Sequence, residues 1–373
     1  MNFPLAPTVH GRSESRSGRD RLSWYTTSMS TSEHKTLYTK YRPQTFKDVL
    51  GQEHITSVIK DSIALGNIAH AYLFFGSRGT GKTSVARILA REIGTHEDDL
   101  YEIDAASNTS VDDIRALNEA VHTLPFNSKH KVYILDEVHM LSKSAFNALL
   151  KTLEEPPKHV IFVLATTEMH KVPETIISRC EVYTFRKPTQ TLLKQMVTKT
   201  AQAEGVTLDP SSADLIALLG DGSFRDTHGT LQKVIHASKD KKITVEEVEK
   251  VTGAPKATLV HAVIESIAEK NIEKGLDAIT TAVEQNIDMS VFVSMILAKV
   301  RAILLVRYSP TISKTLAESM TESDIVFIQK FAAQKDSPIS SVTLRTLLDT
   351  YTMIGKSYAP HVPLEIALFE LVK

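Results

Sequence analysis

One octapeptide constrains this chain more than any other feature. Gly76-Ser77-Arg78-Gly79-Thr80-Gly81-Lys82-Thr83 has the spacing G-x-x-x-x-G-K-[ST]. It follows the apolar run Tyr72-Leu73-Phe74-Phe75 and runs through Ser84 into the helical stretch Val85–Ile93. Strand, glycine-rich loop and helix in that order build a cradle for phosphates. The glycines let backbone N–H groups turn inward, and the helix contributes the positive end of its dipole. Lys82 is expected to reach the β and γ phosphates of a nucleotide and Thr83 to ligate Mg²⁺.

Such a loop needs a parallel sheet to stand on, and the flanking sequence supplies one. The runs Ala71–Phe75, Leu100–Ile103, Val132–Leu135, Val160–Ala165 and Val182–Phe185 are short, β-branched or aromatic, and mostly apolar on both faces. Strands read this way when helices cover both sides of a parallel sheet. The helical stretches Ser84–Glu92, Val111–Val121 and Ser144–Glu154 lie between them, the last ended by Pro156-Pro157. The fold class expected is a doubly wound α/β domain. After Pro188 the strand signal vanishes. Residues 189–253 read as short helices broken at Gly205, Gly220 and Gly222. Amphipathic helices are expected at Ile272–Asn286, Met289–Tyr308, Ser323–Gln334, Val342–Tyr358 and Pro363–Val372.

Val132-Tyr133-Ile134-Leu135 runs into Asp136-Glu137. Carboxylates at the C-terminal end of a parallel strand stand at the crevice where such sheets bind ligands. Asp136 would organise the Mg²⁺ shell, and Glu137 would polarise an attacking water. Thr166-Thr167 ends the next apolar run and could hold the water or read the γ phosphate; a plain turn is the simpler alternative. Arg179 lies in Ser178-Arg179-Cys180. Arg225 lies at a helix start, where the dipole disfavours a cation and an anionic partner would explain it.

Composition narrows the partners. Lys and Arg total 43 against 44 Asp and Glu, a formal charge of −1, which excludes a general cationic coat. Nucleic acid would have to be held by a local surface or by helix N-termini. The single cysteine, Cys180, rules out an internal disulfide and makes reducing, cytoplasmic surroundings the default. No apolar run is read as approaching the roughly 20 residues of a membrane span, so no membrane partner is expected. Residues 1–35 hold seven serines and four arginines between Arg12 and Arg21 and are expected to be disordered, with Trp24 solvated. Met29 is a candidate start, with residues 1–28 an upstream extension.

These residues together resemble the AAA+ ATPases, and within them the clamp-loader group, closest to the gamma/tau family of bacterial DNA polymerase III. Tyr38-Thr39-Lys40-Tyr41-Arg42-Pro43 followed by Phe46-Lys47-Asp48-Val49-Leu50-Gly51-Gln52-Glu53 is similar to that group's opening. So are Ile103-Asp104-Ala105-Ala106-Ser107, Asp136-Glu137-Val138-His139-Met140-Leu141, Phe146-Asn147-Ala148-Leu149-Leu150-Lys151, Leu153-Glu154-Glu155-Pro156-Pro157 and Ser178-Arg179-Cys180. The resemblance is dense from about residue 37 to 230 and weaker through the helical remainder.

The resemblance implies a P-loop AAA+ domain at 36–187, with strand order five-one-four-three-two. It implies a helical lid at 188–253 and a helical collar at 254–373. Thr167 would be the first sensor, Arg225 the second, and Arg179 an arginine finger serving a neighbouring subunit's ATP. Tyr41, Arg42, Val49 and Leu50 would hold adenine and ribose. The function implied is ATP-driven loading of a sliding clamp onto primed DNA within a five-membered ring of clamp-loader subunits. Another AAA+ DNA enzyme, of branch-migration or fork-repair type, and a ring subunit that binds ATP without hydrolysing it are the competing readings. Ser107–Thr109 is a candidate DNA-phosphate contact or simply a helix cap.

The chain departs from the family in three places. The interval Gly94–Glu102 lacks the four-cysteine zinc module usual there, so no zinc is expected. The polymerase- and helicase-binding tail of the long tau form is not expected after the collar. Asp226-Thr227-His228-Gly229 replaces a more apolar helix, so lid packing is expected to differ.

Overall fold

The computed structural model describes residues 36–107, 110–238, 240–309, 322–334 and 337–372. The expectations for residues 1–35, including Trp24 and the start at Met29, lie outside them, as do Asn108 and Thr109 of the candidate DNA contact. The molecule divides into two units. One comprises Pro43–Gly76 and Gly81–Phe185; the other gathers Lys35–Arg42, Ser77–Thr80 and Arg186–Lys373.

In the first unit five strands form one parallel sheet: β1 Ala71–Phe75, β2 Leu100–Asp104, β3 Lys131–Asp136, β4 Val160–Thr166 and β5 Glu181–Thr184. Their order is β5-β1-β4-β3-β2, the order the resemblance implies. Side chains alternate across each strand and feed two cores. Ala71, Leu73, Tyr133, Leu135, Phe162 and Leu164 pack with Ile114, Leu117, Phe146 and Leu149. These helical residues come from α4 (Val111–Ala120) and α5 (Lys143–Glu154). Tyr72, Phe74, Val132, Ile134, Ile161 and Val163 pack on the other face with Ile55, Ile59, Val85, Ile88 and Leu89. Those belong to α2 (Glu53–Ala64) and α3 (Lys82–Glu92). Burial on both faces is why these strands lack a polar period. The edge strand β5 is short, and Glu181 and Val182 on it are exposed. A short, charged edge strand is a poor template for pairing with another chain. A four-residue helix α6 (Glu174–Ile177) precedes it.

The second unit is nearly all helical, beginning with α1 (Leu37–Lys40). After it come α7 (Gln190–Ala203), α8 (Pro210–Leu219), α9 (Phe224–Ala237) and α10 (Val245–Thr252). The remainder holds α11 (Ala257–Glu269), α12 (Ile272–Glu284), α13 (Met289–Tyr308), α14 (Glu322–Ala332), α15 (Ser341–Ile354) and α16 (Val362–Leu371). The expected breaks are real: Gly205 and Gly222 take φ of 73° and 72°, and Gly220 caps α8.

Four expectations need correction. Strand structure does not vanish after Pro188: β6 (Thr207–Leu208) and β7 (Lys242–Ile243) pair in parallel. Two residues are too few to show a period. The stretch begun at Val342 ends at Ile354 rather than Tyr358, since Gly355 and the turn after it stop the helix. The stretch begun at Ile272 ends at Glu284, and Asn286 turns left-handed at φ 52°. Finally, α13 is long and apolar enough by composition to cross a membrane. Its placement is that of a core helix. Phe292, Val293, Ile296, Val300 and Ile303 are buried. Lys299 pairs with Asp324, and Arg307 donates to the carbonyls of Phe331 (2.8 Å) and Ile339 (2.6 Å).

Candidate active site

The loop after β1 is shaped by its glycines. Gly76 leaves the strand at φ 157°, and a Cβ there would come within 2.7 Å of the Phe185 carbonyl oxygen. Its N–H donates to the Thr166 carbonyl at 3.2 Å, tying the loop's start to the end of β4. Gly81, at φ 102°, is the N-cap of α3, and a Cβ there would meet nothing within 4 Å. The first N–H groups of α3 have no partner inside the helix and so face the loop. Lys82 is buried, and its ammonium donates to the Gly76 carbonyl at 2.8 Å, across the mouth of the loop. A buried ammonium at a helix N-terminus suits a polyphosphate.

At the end of β3 the two acids take different positions. The Thr83 hydroxyl donates to Asp136 Oδ2 at 2.8 Å, and the Glu137 N–H donates to Asp136 Oδ1 at 3.0 Å. A hydroxyl and a carboxylate are hard oxygen donors, the ligand set Mg²⁺ takes alongside phosphate and water. Glu137 has φ 50°, a left-handed backbone uncommon for a non-glycine residue. Thr167 donates to its Oε2 at 3.1 Å. Lys82, Thr83, Asp136, Glu137 and Thr167 therefore come together at the C-terminal ends of β1, β3 and β4, as the sequence pattern anticipates.

Arg179 is engaged elsewhere in the same unit. Its guanidinium donates to Glu154 Oε1 at 2.5 Å and to the Thr175 carbonyl at 2.6 Å. Neither partner belongs to the acidic pair Asp136-Glu137. Cys180 beside it is half-buried, and burial pushes its thiol up to about 12. Val49 is buried and Leu50 half-buried in this unit.

In the second unit Ser77, Arg78, Gly79 and Thr80 sit against the start of α9. The Phe224 N–H donates to the Gly79 carbonyl at 2.9 Å. A Cβ on Gly79 would fall 2.0 Å from Ser223 Oγ, so only glycine fits there. Arg225 is exposed, with its guanidinium 5.9 Å from the centre of the Tyr38 ring. Tyr41 and Lys40 both bond Glu204, the latter at 2.7 Å. Arg42 N–H donates to the Thr39 carbonyl at 3.4 Å.

The polar stretch Asp226–Gly229 is bonded within the helices around it. Thr227 donates to the Ser223 carbonyl at 2.6 Å. His228 is buried, bonded through Nδ1 to the Phe224 carbonyl (3.0 Å) and through Nε2 to Thr200 (3.3 Å). A carbonyl only accepts, so the proton is on Nδ1. The ring lies parallel to Tyr41, and burial lowers its affinity for a second proton. The helix after the candidate DNA contact is capped by Ser110, which accepts from the Asp113 N–H at 3.2 Å, and not by Ser107.

Sequence reasoning missed His139 and the Glu154–Arg179 pair. His139 Nδ1 lies 3.1 Å from Thr166 Oγ1, and both of its ring nitrogens approach carboxylates. The only available signal was their place inside the motifs already quoted.

Comparison with known proteins follows the same division. Family profiles match as "DNA polymerase III, delta subunit" over residues 92–189 and "DNA polymerase III subunits gamma and tau domain III" over 243–373. A profile for magnesium chelatase subunit ChlI matches 45–136. The chain is 42% identical over 255 residues to DNA polymerase III subunit tau of Bacillus subtilis, covering 63% of this chain and 45% of that protein. It is 40% identical over 235 residues to subunit gamma of Buchnera aphidicola, covering 57% of this chain and 63% of the relative. For Escherichia coli tau the figures are 39% over 258 residues, 62% and 40%. The chain thus matches about half the length of these relatives. Among solved structures, Thermotoga maritima RuvB aligns at a TM-score of 0.50 with 20% identity, over 61% of this chain and 80% of that one. At that identity the likeness concerns the fold.

Proposed function

We propose that this chain, which belongs to the gamma/tau family of DNA polymerase III subunits, is an ATP-hydrolysing motor subunit that loads a sliding clamp onto primed DNA. The observation that carries the reading is the 2.8 Å bond between Thr83 and Asp136, with Glu137 held by Thr167 beside it. In that arrangement a phosphate-loop hydroxyl and two carboxylates stand at one strand end, which suits Asp136 to hold a metal and Glu137 to act as general base.

Gly76–Gly81 and the first turn of α3 through Ser84 would wrap the β and γ phosphates, and Lys82 would neutralise charge on them. Thr83 and Asp136 would hold Mg²⁺, which when bound neutralises charge on the same phosphates. Glu137 takes a proton from water as its oxygen bonds to the γ phosphorus. The bond from that phosphorus to the bridging oxygen breaks, and ADP leaves with the electron pair. Thr167 keeps the Glu137 carboxylate on the water's side. Arg225 would contact the γ phosphate from within its own chain. Arg179 would reach the nucleotide of a neighbouring subunit, and Tyr41, Arg42, Val49 and Leu50 would hold the nucleoside. Removal of the γ phosphate removes the contacts of both arginines, which is how hydrolysis would loosen a ring's hold on clamp and DNA. The site assigned here is cytoplasmic, among other clamp-loader subunits.

The test is steady-state ATP hydrolysis in the presence of the partner subunits, with and without clamp and primed DNA. Strong stimulation requiring clamp and primer junction together is expected. Glu137→Gln should keep ATP binding and abolish turnover. Hydrolysis indifferent to the clamp would move the function to another DNA-remodelling machine. A Glu137→Gln chain turning over at the parent rate would remove the catalytic assignment.

A further inference from the structure

The general base is not held by Thr167 alone. After β3 the backbone turns left-handed at Glu137 and enters a single 3-10 turn, Val138–Met140, closed by Met140 N–H on the Glu137 carbonyl at 2.9 Å. Val138 is buried in the core and anchors that turn. The turn lays His139 back over the end of β4, where its side chain is only 7% exposed. Nδ1 then stands 3.1 Å from Thr166 Oγ1 and 3.4 Å from Glu137 Oε2. Nε2 stands 3.3 Å from Glu168 Oε1.

Nε2 faces the Glu168 carboxylate at ion-pair distance. Thr166 is fully buried, and its hydroxyl oxygen already accepts from the Glu168 N–H at 3.0 Å. Its single hydrogen is thus available to the imidazole. Glu168 is itself held ionised, since the Lys171 ammonium bonds it at 2.9 Å and keeps its carboxyl below the usual range. The ring is therefore bonded at Nδ1 to Thr166, stands beside Glu168 at Nε2, and borders the Glu137 carboxylate along one edge.

We propose that His139, oriented by Glu168 and Thr166, is a positioning residue that confines the Glu137 carboxylate to the side on which Thr167 donates to it. This rests on the reading of Glu137 as general base. His139 touches neither water nor phosphate in this role. It acts by limiting where the base can stand, and a misplaced base loses rate without losing nucleotide.

The test is a set of variants in the assembled particle, with ATP, clamp and primed DNA. His139→Ala should lower kcat by about 10- to 100-fold while the KM for ATP stays within about twofold of the parent. Glu168→Gln, at a partly exposed position, should lower kcat by about tenfold through loss of the charge that faces Nε2. His139→Asn, whose amide can occupy the Nδ1 position, should recover part of the rate. If His139→Ala and Glu168→Gln both keep the parent kcat while Glu137→Gln abolishes turnover, the positioning role is wrong and the ATPase reading stands. If Glu137→Gln itself keeps the rate, the ATPase reading fails first. Should His139→Ala not fold, Glu168→Gln decides alone, and an unchanged kcat there sinks the proposal.

Discussion

Asp324 on α14 faces His261 Nε2 at 3.5 Å and pairs with Lys299 of α13. Burial by itself would raise its carboxyl. The bond to His261 and the charge of and bond to Lys299 outweigh that and hold it down at about 2, against 3.8 in a free chain. A carboxyl whose folded value is depressed stabilises the fold above its unfolded value, and the contribution is lost as pH falls through the folded one. The gain is about 2 kcal/mol, present at neutral pH and lost as the pH falls from about 4 to about 2. Asp324→Asn is expected to lower stability by that amount at pH 7 and to flatten the acid limb of a melting-temperature profile. An acid limb identical to the parent's would contradict the assignment. None of these partners is near Asp324 in sequence, so periodicity marks the helices but not the charge pair between them.

At the scale of elements, two glycines of the second unit make opposite forecasts. A Cβ on Gly220, the cap of α8, would lie 1.8 Å from Thr227 Oγ1 and 3.1 Å from the Thr227 backbone, where α9 packs close. Gly220→Ala should destabilise by about 1–3 kcal/mol, through a clash that α9 can relieve only by moving. Gly229, inside α9, has open space at its Cβ position. Gly229→Ala should stabilise by about 0.5–1 kcal/mol, because helical alanine loses less chain entropy than glycine. Denaturant midpoints separate the two, and a Gly229→Ala chain less stable than the parent would show that α9 needs the flexibility. The sequence marked Gly220 as a break, correctly, yet for local reasons alone; that Thr227 fills the space beside it is a fact of packing. The same limit explains β6 and β7. Their pairing is made by backbone bonds such as Thr207 N–H to the Lys241 carbonyl at 2.7 Å, between residues too few to carry a pattern.

For the whole molecule, the functional residues fall into groups that depend on different distances along the chain. Arg179 is bonded to Glu154 and Thr175 of its own chain. As an arginine finger it would exchange those partners for a neighbour's phosphate, so Arg179→Ala should cut hydrolysis by the assembled particle by about three orders of magnitude while ATP binding by the chain alone persists. A mixed assembly carrying the variant at full activity would refute the finger. The phosphate loop, the acidic pair and the strands that end in them were legible from residues alone. Each is a local pattern whose spacing is set by backbone geometry: a loop that needs glycines, strands buried on both faces, carboxylates at a strand's end. Sheet order came through family resemblance, not periodicity. Only the tertiary structure decided that Thr83 bonds Asp136, that His139 borders Glu137, and that Gly79 packs on Ser223. It also decided that α13, apolar enough to resemble a membrane span, packs Phe292, Val293, Ile296, Val300 and Ile303 inside the helical second unit. Those outcomes depend on side chains distant in sequence meeting in one place. A local pattern records which face of an element is apolar, and it carries no record of which neighbour that face meets.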